Sequence, residues 1–356
     1  MASKYVVQGY WGPCRVQKFT IGSDPSRDYA ECSDFTAVFD NTLIPEYFTT
    51  VIVEFHNDTG ADEAIFETPF VVTAPSNCVQ LLVTVADDSW HKGDTAKGCV
   101  LKCVSGSTGS RMSIGGGMQK KIERLRFDSD GLFALQSSGI ISQPTSVSTS
   151  NPNFQWYDQC IVTGGSTTNP ARAMKGIHSA GRPMTVTNCL VHDIVCNGAA
   201  TSSLASFGIG GDDKMNIIGC TVDNIDFTNQ TGTGNTGISS ATTGYFVQNN
   251  IVTNVDTCYS VTATTASNVD DDGTGTNTSS SAAEFVNSAV NNYRLQIGAV
   301  AAGLVSADSS RFGPDVTGQL RDWTNAVDAG CYNNIGGYEQ AELAEHIQGR
   351  HPLARF

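Results

Sequence analysis

The chain has 356 residues, 36 of them glycine, with 40% hydrophobic and only 16% charged residues and a formal net charge of −14. No basic run offers nucleic acid phosphates a footprint, and no stretch approaches the roughly 18 apolar residues of a membrane span. The opening MASKYVVQGYWGPC lacks the charged-then-apolar order of a secretory leader, so the eleven cysteines are expected as reduced, buried thiols.

Residues 1 to about 25 read as strand-like and aromatic, with Tyr5, Tyr10, Trp11 and Phe19. The segment SRDYAECSDFTAVFD then predicts a short helix. Ser26 is its expected N-cap, and Tyr29, Cys32, Phe35, Val38 and Phe39 are the candidates for its apolar face. Such a helix would cover the raw strand edges at one end of a stack. Strands follow at TTVIVEFHND, TPFVVTAP (ended by Pro75) and LLVTVADD. KKIERLRFDSDGLFAL predicts a coil around Ile122, Leu125 and Phe127. Residues 137–153, rich in Ser and Thr, read as an excursion loop.

From 157 to 255 one pattern returns four times: YDQCIVTGG, VTNCLVHDI, IIGCTVDNI and VQNNIVTNV. Its fourth residues, Cys160, Cys189, Cys220 and Asn250, are separated by 29, 31 and 30 residues. A fixed period in this range marks a stacked solenoid. Positions four and six share a face, as Cys189 and Val191 do. The flanking apolar residues have the wrong parity for one straight strand, so a bend is needed on each side. Asn188, Gly219 and Asn249 tolerate the first of those bends. Gly-Ile pairs at 176–177, 208–209 and 237–238 mark a second strand in each period. The expected architecture is all-β: a right-handed parallel β-helix in which Cys160, Cys189, Cys220 and Asn250 form an inward ladder. Residues 267–281 read as a second excursion. After it, YEQAELAEHIQGRHPLARF changes to helical spacing with a basic end. The expected organisation is an N-terminal segment and cap at 1–50, the β-helix at 51–285, a C-terminal cap at 286–335, and a tail helix at 336–356, either an anchor or a closure.

Several stretches carry a resemblance. Asp28-Tyr29, Val53-Glu54-Phe55-His56-Asn57-Asp58 and Trp90-His91-Lys92-Gly93-Asp94 stand in the order of a capping helix, a "vecyndg" strand and an "RHdGt" turn. EFVNSAVNNYRLQIGAVAAG, GPDVTGQLRD and VDAGCYN follow the order of a familiar ending. Together they resemble pectate-lyase-like right-handed β-helix proteins, frequent among bacteriophage and environmental sequences. Trp90 departs from that pattern, which usually has Arg there. The resemblance implies fold, caps and side-by-side trimers; the group is functionally mixed and implies no activity.

Candidate chemistry is sparse. Asp212 and Asp213 form an adjacent acid pair, as in polygalacturonases, but the Gly-His-Gly and Arg-x-Lys motifs that accompany it there are absent. A turn between coils is the competing reading. Asp270, Asp271 and Asp272 before Gly273 superficially suggest a Ca²⁺ loop, but the EF-hand spacing and its terminal Glu are missing, and a solvated acidic loop is the favoured reading. His178 and His192 fall within one coil, and His192-Asp193 follows a repeat strand. Cys99 and Cys103 lack a second pair to complete a zinc site. No cofactor is expected. The functional expectation is a non-enzymatic virion structural protein assembled in the host cytoplasm. It would be a capsid decoration or a fibre or spike component, partnered by other virion proteins as a homotrimer, with a host-surface glycan as a candidate ligand and no nucleic acid or membrane partner. The alternative is a polysaccharide lyase or hydrolase acting in a groove of the β-helix.

Overall fold

Three parallel sheets form the wall of a right-handed β-helix, and each coil contributes one strand to each sheet in turn. The computed structural model describes residues 14–42, 48–73, 78–102, 112–115, 118–129, 139–142, 155–164, 175–179, 183–195, 207–211, 215–226, 236–240, 246–261, 264–296, 299–301, 315–318 and 329–332. Sheet 1 has nine strands, from Cys14–Ile21 and Phe48–Phe55 through Gln155–Asp158 to Thr264–Ala266. Sheet 2 has nine, from Glu63–Phe66 through Ile161–Thr163 to Asn277–Thr278. Sheet 3 has seven, from Phe70–Thr73 through Lys175–Ser179 to Thr257–Val261.

The repeat pattern is visible in the register. Ile161 pairs with Leu190, Leu190 with Thr221, and Thr221 with Ile251. The residues just before them therefore stack: Cys160, Cys189, Cys220 and Asn250 are all fully buried. The same register extends the ladder to Cys99, Leu125 and Asn268. The bends are single residues in the left-handed region: Arg124, Gln159, Asn188, Gly219, Asn249 and Ser267 lead into sheet 2. Gly164, Asp193, Asn224 and Asn254 turn the chain a second time. Asn, Asp and Gly bear this geometry at least cost.

The ladder is not simply apolar. A corner N–H has no strand neighbour, and a side chain from the next coil accepts it. Cys160 N donates to Cys189 Sγ at 3.4 Å, Cys220 N to Asn250 Oδ1 at 2.9 Å, and Asn250 N to Asn268 Oδ1 at 3.0 Å. Cys and Asn are interchangeable here because both are small and both carry an acceptor.

The first helix covers the N-terminal end, but it spans Cys32–Thr42 and Ser26 is not its cap. Ser26 N instead bonds Asp24 Oδ1, and Tyr29 bridges to Ile21. Thr20 and Asp28 hold that extended return: Asp28 Oδ2 accepts Thr20 N at 2.8 Å, and Thr20 Oγ1 accepts Asp28 N at 3.1 Å. Phe35 then stacks on Phe70 with centroids 5.7 Å apart. Two expected excursions are partly wall. Gly139–Ser142 is a strand of sheet 3 with Ile140 and Ile141 buried. Val269–Asp270 and Asn277–Thr278 close sheet 2.

The C-terminal segment runs along the side of the rod. A hairpin of Phe285–Asn287 and Asn292–Leu295 is antiparallel. With it, Ala299, Ala301, Val316, Ala329, Cys331 and Tyr332 bury the outward residues Ile161, Leu190, Ile251 and Val269 of sheet 2. Each such side chain contributes about 1.5–3 kcal/mol when covered. This strap also reaches the early coils: Tyr332 Oη donates to Gly93 O at 2.6 Å, and Gln159 Nε2 to Asp315 O at 2.5 Å. The expected tail helix at 336–356 lies outside the described residues.

Candidate functional site

The corner between sheets 1 and 2 is two residues long from Arg124 onward, but the first two coils make it with longer loops, at 56–62 and 86–97. A cleft of about 520 Å³ opens there. Its floor is the outward row of sheet 1, where register puts Glu54 beside Thr84, and Thr84 donates to Glu123 Oε1 at 2.9 Å. His56 and Arg124 close its sides.

Acids and bases alternate across this cleft. Glu54 Oε1 lies 2.6 Å from Lys18 Nζ and 2.9 Å from His56 Nε2. Glu123 Oε2 lies 2.5 Å from Lys121 Nζ, which also approaches Asp158 Oδ2 at 3.4 Å. Arg124 Nη1 donates to Asp87 Oδ1 at 2.6 Å, and its guanidinium sits 4.8 Å from the Trp90 ring centroid. Asp87 is 91% exposed, so that pair adds little stability. One wall is anchored by Arg27, which grips Asp58 through Nε at 3.0 Å and Nη2 at 2.6 Å. The Arg27 hydrogen bond holds the Asp58 carboxyl below its ordinary range. Alternating donors and acceptors of this kind suit a polyhydroxylated ligand, and His56 Nε2, although close to Glu54, makes no hydrogen bond.

A second polar cluster lies beneath the hairpin. His192 Nδ1 is 2.9 Å from Asp193 Oδ2, but His192 is 1% exposed and the Tyr293 ring covers it at 5.1 Å. Asp223 accepts from Thr253 Oγ1 at 2.7 Å and Asn254 Nδ2 at 2.8 Å. Burial nevertheless raises its carboxyl above the usual range. His178 belongs to sheet 3, against Phe207, and is pushed down to about 4 by burial and by Lys175. The two histidines of that coil are therefore not brought together.

Asp212 and Asp213, and Cys103, lie outside the described residues. Asp270, Asp271 and Asp272 are described, and their carboxylates diverge. Asp270 Oδ1 accepts Gly273 N at 2.7 Å, Asp271 Oδ2 accepts Asn254 N at 2.6 Å, and Asp272 Oδ2 accepts Cys258 N at 2.7 Å. Among the described residues no group of three His, Cys, Asp or Glu side chains is placed to hold a metal ion. Cys32, Cys78, Cys99, Cys160, Cys189, Cys220, Cys258 and Cys331 are free and buried. Burial pushes the Cys78 thiol up to about 12 and Cys189 well above its ordinary value, so these two stay protonated and unreactive at neutral pH.

The corner cleft was missed by motif reasoning because its members are far apart in sequence. The signal was present in the strand ends VEFH, VTVADD and KIER, where the polar residues Glu54, Thr84 and Glu123 stand in line in successive coils. Comparison with protein-family models, with curated proteins and with solved structures finds no match.

Proposed function

We propose that the protein is a non-enzymatic structural component of a virus particle, a capsid decoration or a fibre or spike subunit. It assembles in the host cytoplasm with other particle proteins, packs side by side as a homotrimer, and offers its corner loops to a host-surface glycan. The observation that supports this reading is where the recurrent residues go. The Cys/Asn ladder satisfies corner N–H groups, the left-handed residues make the bends, and the strap binds distant coils together. A rod cross-tied in this way has few places to open locally, and resistance to proteases is the property that follows. Mass spectrometry of purified particles from the source is the test. Recovery of the chain at structural stoichiometry is expected, and its absence from particles removes the reading.

The corner cleft favours a second reading, a polysaccharide lyase or hydrolase. Glu54 and Glu123 flank Thr84 on the outward row, a carboxylate pair able to move protons at a bound glycan. Shortening of acidic or neutral polysaccharides by the wild type, lost in Glu54→Gln and Glu123→Gln, would establish it and displace the non-enzymatic one. No shortening by the wild type ends it.

A further inference from the structure

A second cleft, of about 290 Å³, lies between corner residues 93–96 and the C-terminal hairpin, far in sequence from the groups above. It exists only because the strap folds back. Tyr332 forms part of its lining and is locked by its hydrogen bond to Gly93 O. Gly93, at φ 78, is held against Thr317 and Tyr332 so closely that a Cβ would lie 2.8 and 3.0 Å from them. The cleft is thus pre-formed, which lowers the ordering cost of binding.

Its chemistry is asymmetric. On the hairpin wall stand Asn292, whose Oδ1 accepts Arg294 N at 3.4 Å, and Arg294. Arg294 is exposed and makes no ion pair among the described residues. On the opposite wall stand the Thr95 hydroxyl and the carboxylate of Asp94, whose Oδ1 accepts Ala96 N at 2.9 Å and whose Oδ2 lies 3.7 Å from Lys97 Nζ. In a chain with net charge −14, an uncommitted guanidinium inside a polar cleft is a fork for a planar carboxylate. The hydroxyl, amide and carboxylate around it suit neighbouring hydroxyl groups. The volume sits at the lower edge of the roughly 300–1,000 Å³ usual for small-molecule sites, which fits one or two sugar rings.

We infer that this strap cleft binds a carboxylated sugar unit, with Arg294 taking the carboxylate and Asp94, Thr95 and Asn292 the ring hydroxyls. The inference deepens the glycan-presenting part of the proposed function and locates it away from the corner cleft. Isothermal titration of the full chain with glucuronate, with glucose and inorganic phosphate as controls, tests it. Saturable glucuronate binding is expected, at least tenfold weaker in Arg294→Ala and partly kept in Arg294→Lys. No saturable binding of glucuronate overturns it. So does phosphate or glucose binding as tightly as glucuronate, or an Arg294→Ala variant that melts and binds like the wild type. Any of these leaves the particle measurement unaffected, so failure here is distinguishable from failure of the structural role.

Discussion

The backbone N–H of Cys258 donates to the carboxylate of Asp272 at 2.7 Å. Cys258 lies on Thr257–Val261, the outermost strand of sheet 3, whose far edge pairs with no further strand among the described residues. Neighbouring donors are treated alike. Asn254 N goes to Asp271 Oδ2 at 2.6 Å, and Tyr259 N to Thr274 Oγ1 and Asn268 N to Thr276 Oγ1, each at 3.1 Å. The acidic run that resembled a cation loop is an end plate of side-chain acceptors. An edge whose donors are already occupied cannot template another strand.

Replacing Asp271 and Asp272 together by Ala should therefore uncover this edge. Light scattering is expected to show a mass that rises with protein concentration, above that of the wild type at each concentration. The double Asn variant should stay close to wild type, because an amide oxygen still accepts. A double Ala variant that scatters like the wild type would refute the end-plate role.

Asn250 gives a sharper test of the ladder. Its Oδ1 accepts Cys220 N, and its Nδ2 donates to Ile217 O at 3.0 Å and to Asn268 Oδ1 at 3.1 Å. Asn250→Ala strands a buried N–H and a buried C=O, at about 1–3 kcal/mol each. Asn250→Cys restores the kind of acceptor found one coil earlier and should recover part of that loss. Urea denaturation of the three proteins checks the order; equal stability of the Ala and Cys variants would mean that size alone matters at this position.

Gly237 explains why Gly-Ile recurs. It sits where sheet 3 passes close to the interior side of sheet 2, and an added Cβ would overlap Val252 Cγ1 and lie 3.0 Å from Cys258 O. The backbone atom cannot yield as a side chain can. Gly237→Ala is expected to cost about 1–3 kcal/mol, read as a lowered midpoint in thermal unfolding. A midpoint unchanged from wild type would show that the coils breathe enough to admit a methyl group.

The coils were legible because stacking repeats itself: a residue type that works at one corner works again some thirty residues later. Cys160, Cys189, Cys220 and Asn250 were readable as inward by parity, and Asn188, Gly219 and Asn249 as bends. Their acceptor role was not, since it depends on which N–H the next coil leaves open. The acceptor role of the acidic run was hidden for a related reason. Asp270 to Asp272 look alike in sequence, and only the missing coil above them decides what they bind. The corner cleft joins Glu54 to Glu123, and the strap joins Gly93 to Tyr332. Pairings across such separations leave no local pattern.

His91 offers a pH test of the tie between early and middle coils. Its Nδ1 accepts Gly93 N at 2.9 Å, so its Nε2–H donates to Gln159 O at 2.8 Å, and Gln159 in turn holds the strap at Asp315. Burial, followed by the Arg126 and Arg124 charges, pushes His91 down to about 3, against an ordinary value near 6.5. The folded value lies below the unfolded one. Between the two, the unfolded chain takes up a proton that the folded chain refuses. The contribution of His91 is therefore complete above about pH 6.5 and falls as pH drops toward about 3, by at most ~1.4 kcal/mol per pH unit. His91→Gln should lose about 1–3 kcal/mol at neutral pH through its hydrogen bonds and should have a flatter acid limb. Urea denaturation of both proteins from about pH 7 to about pH 4 is expected to show the stability gap narrowing with acid. A gap that stays constant across that range would mean that His91 is not held neutral by the fold.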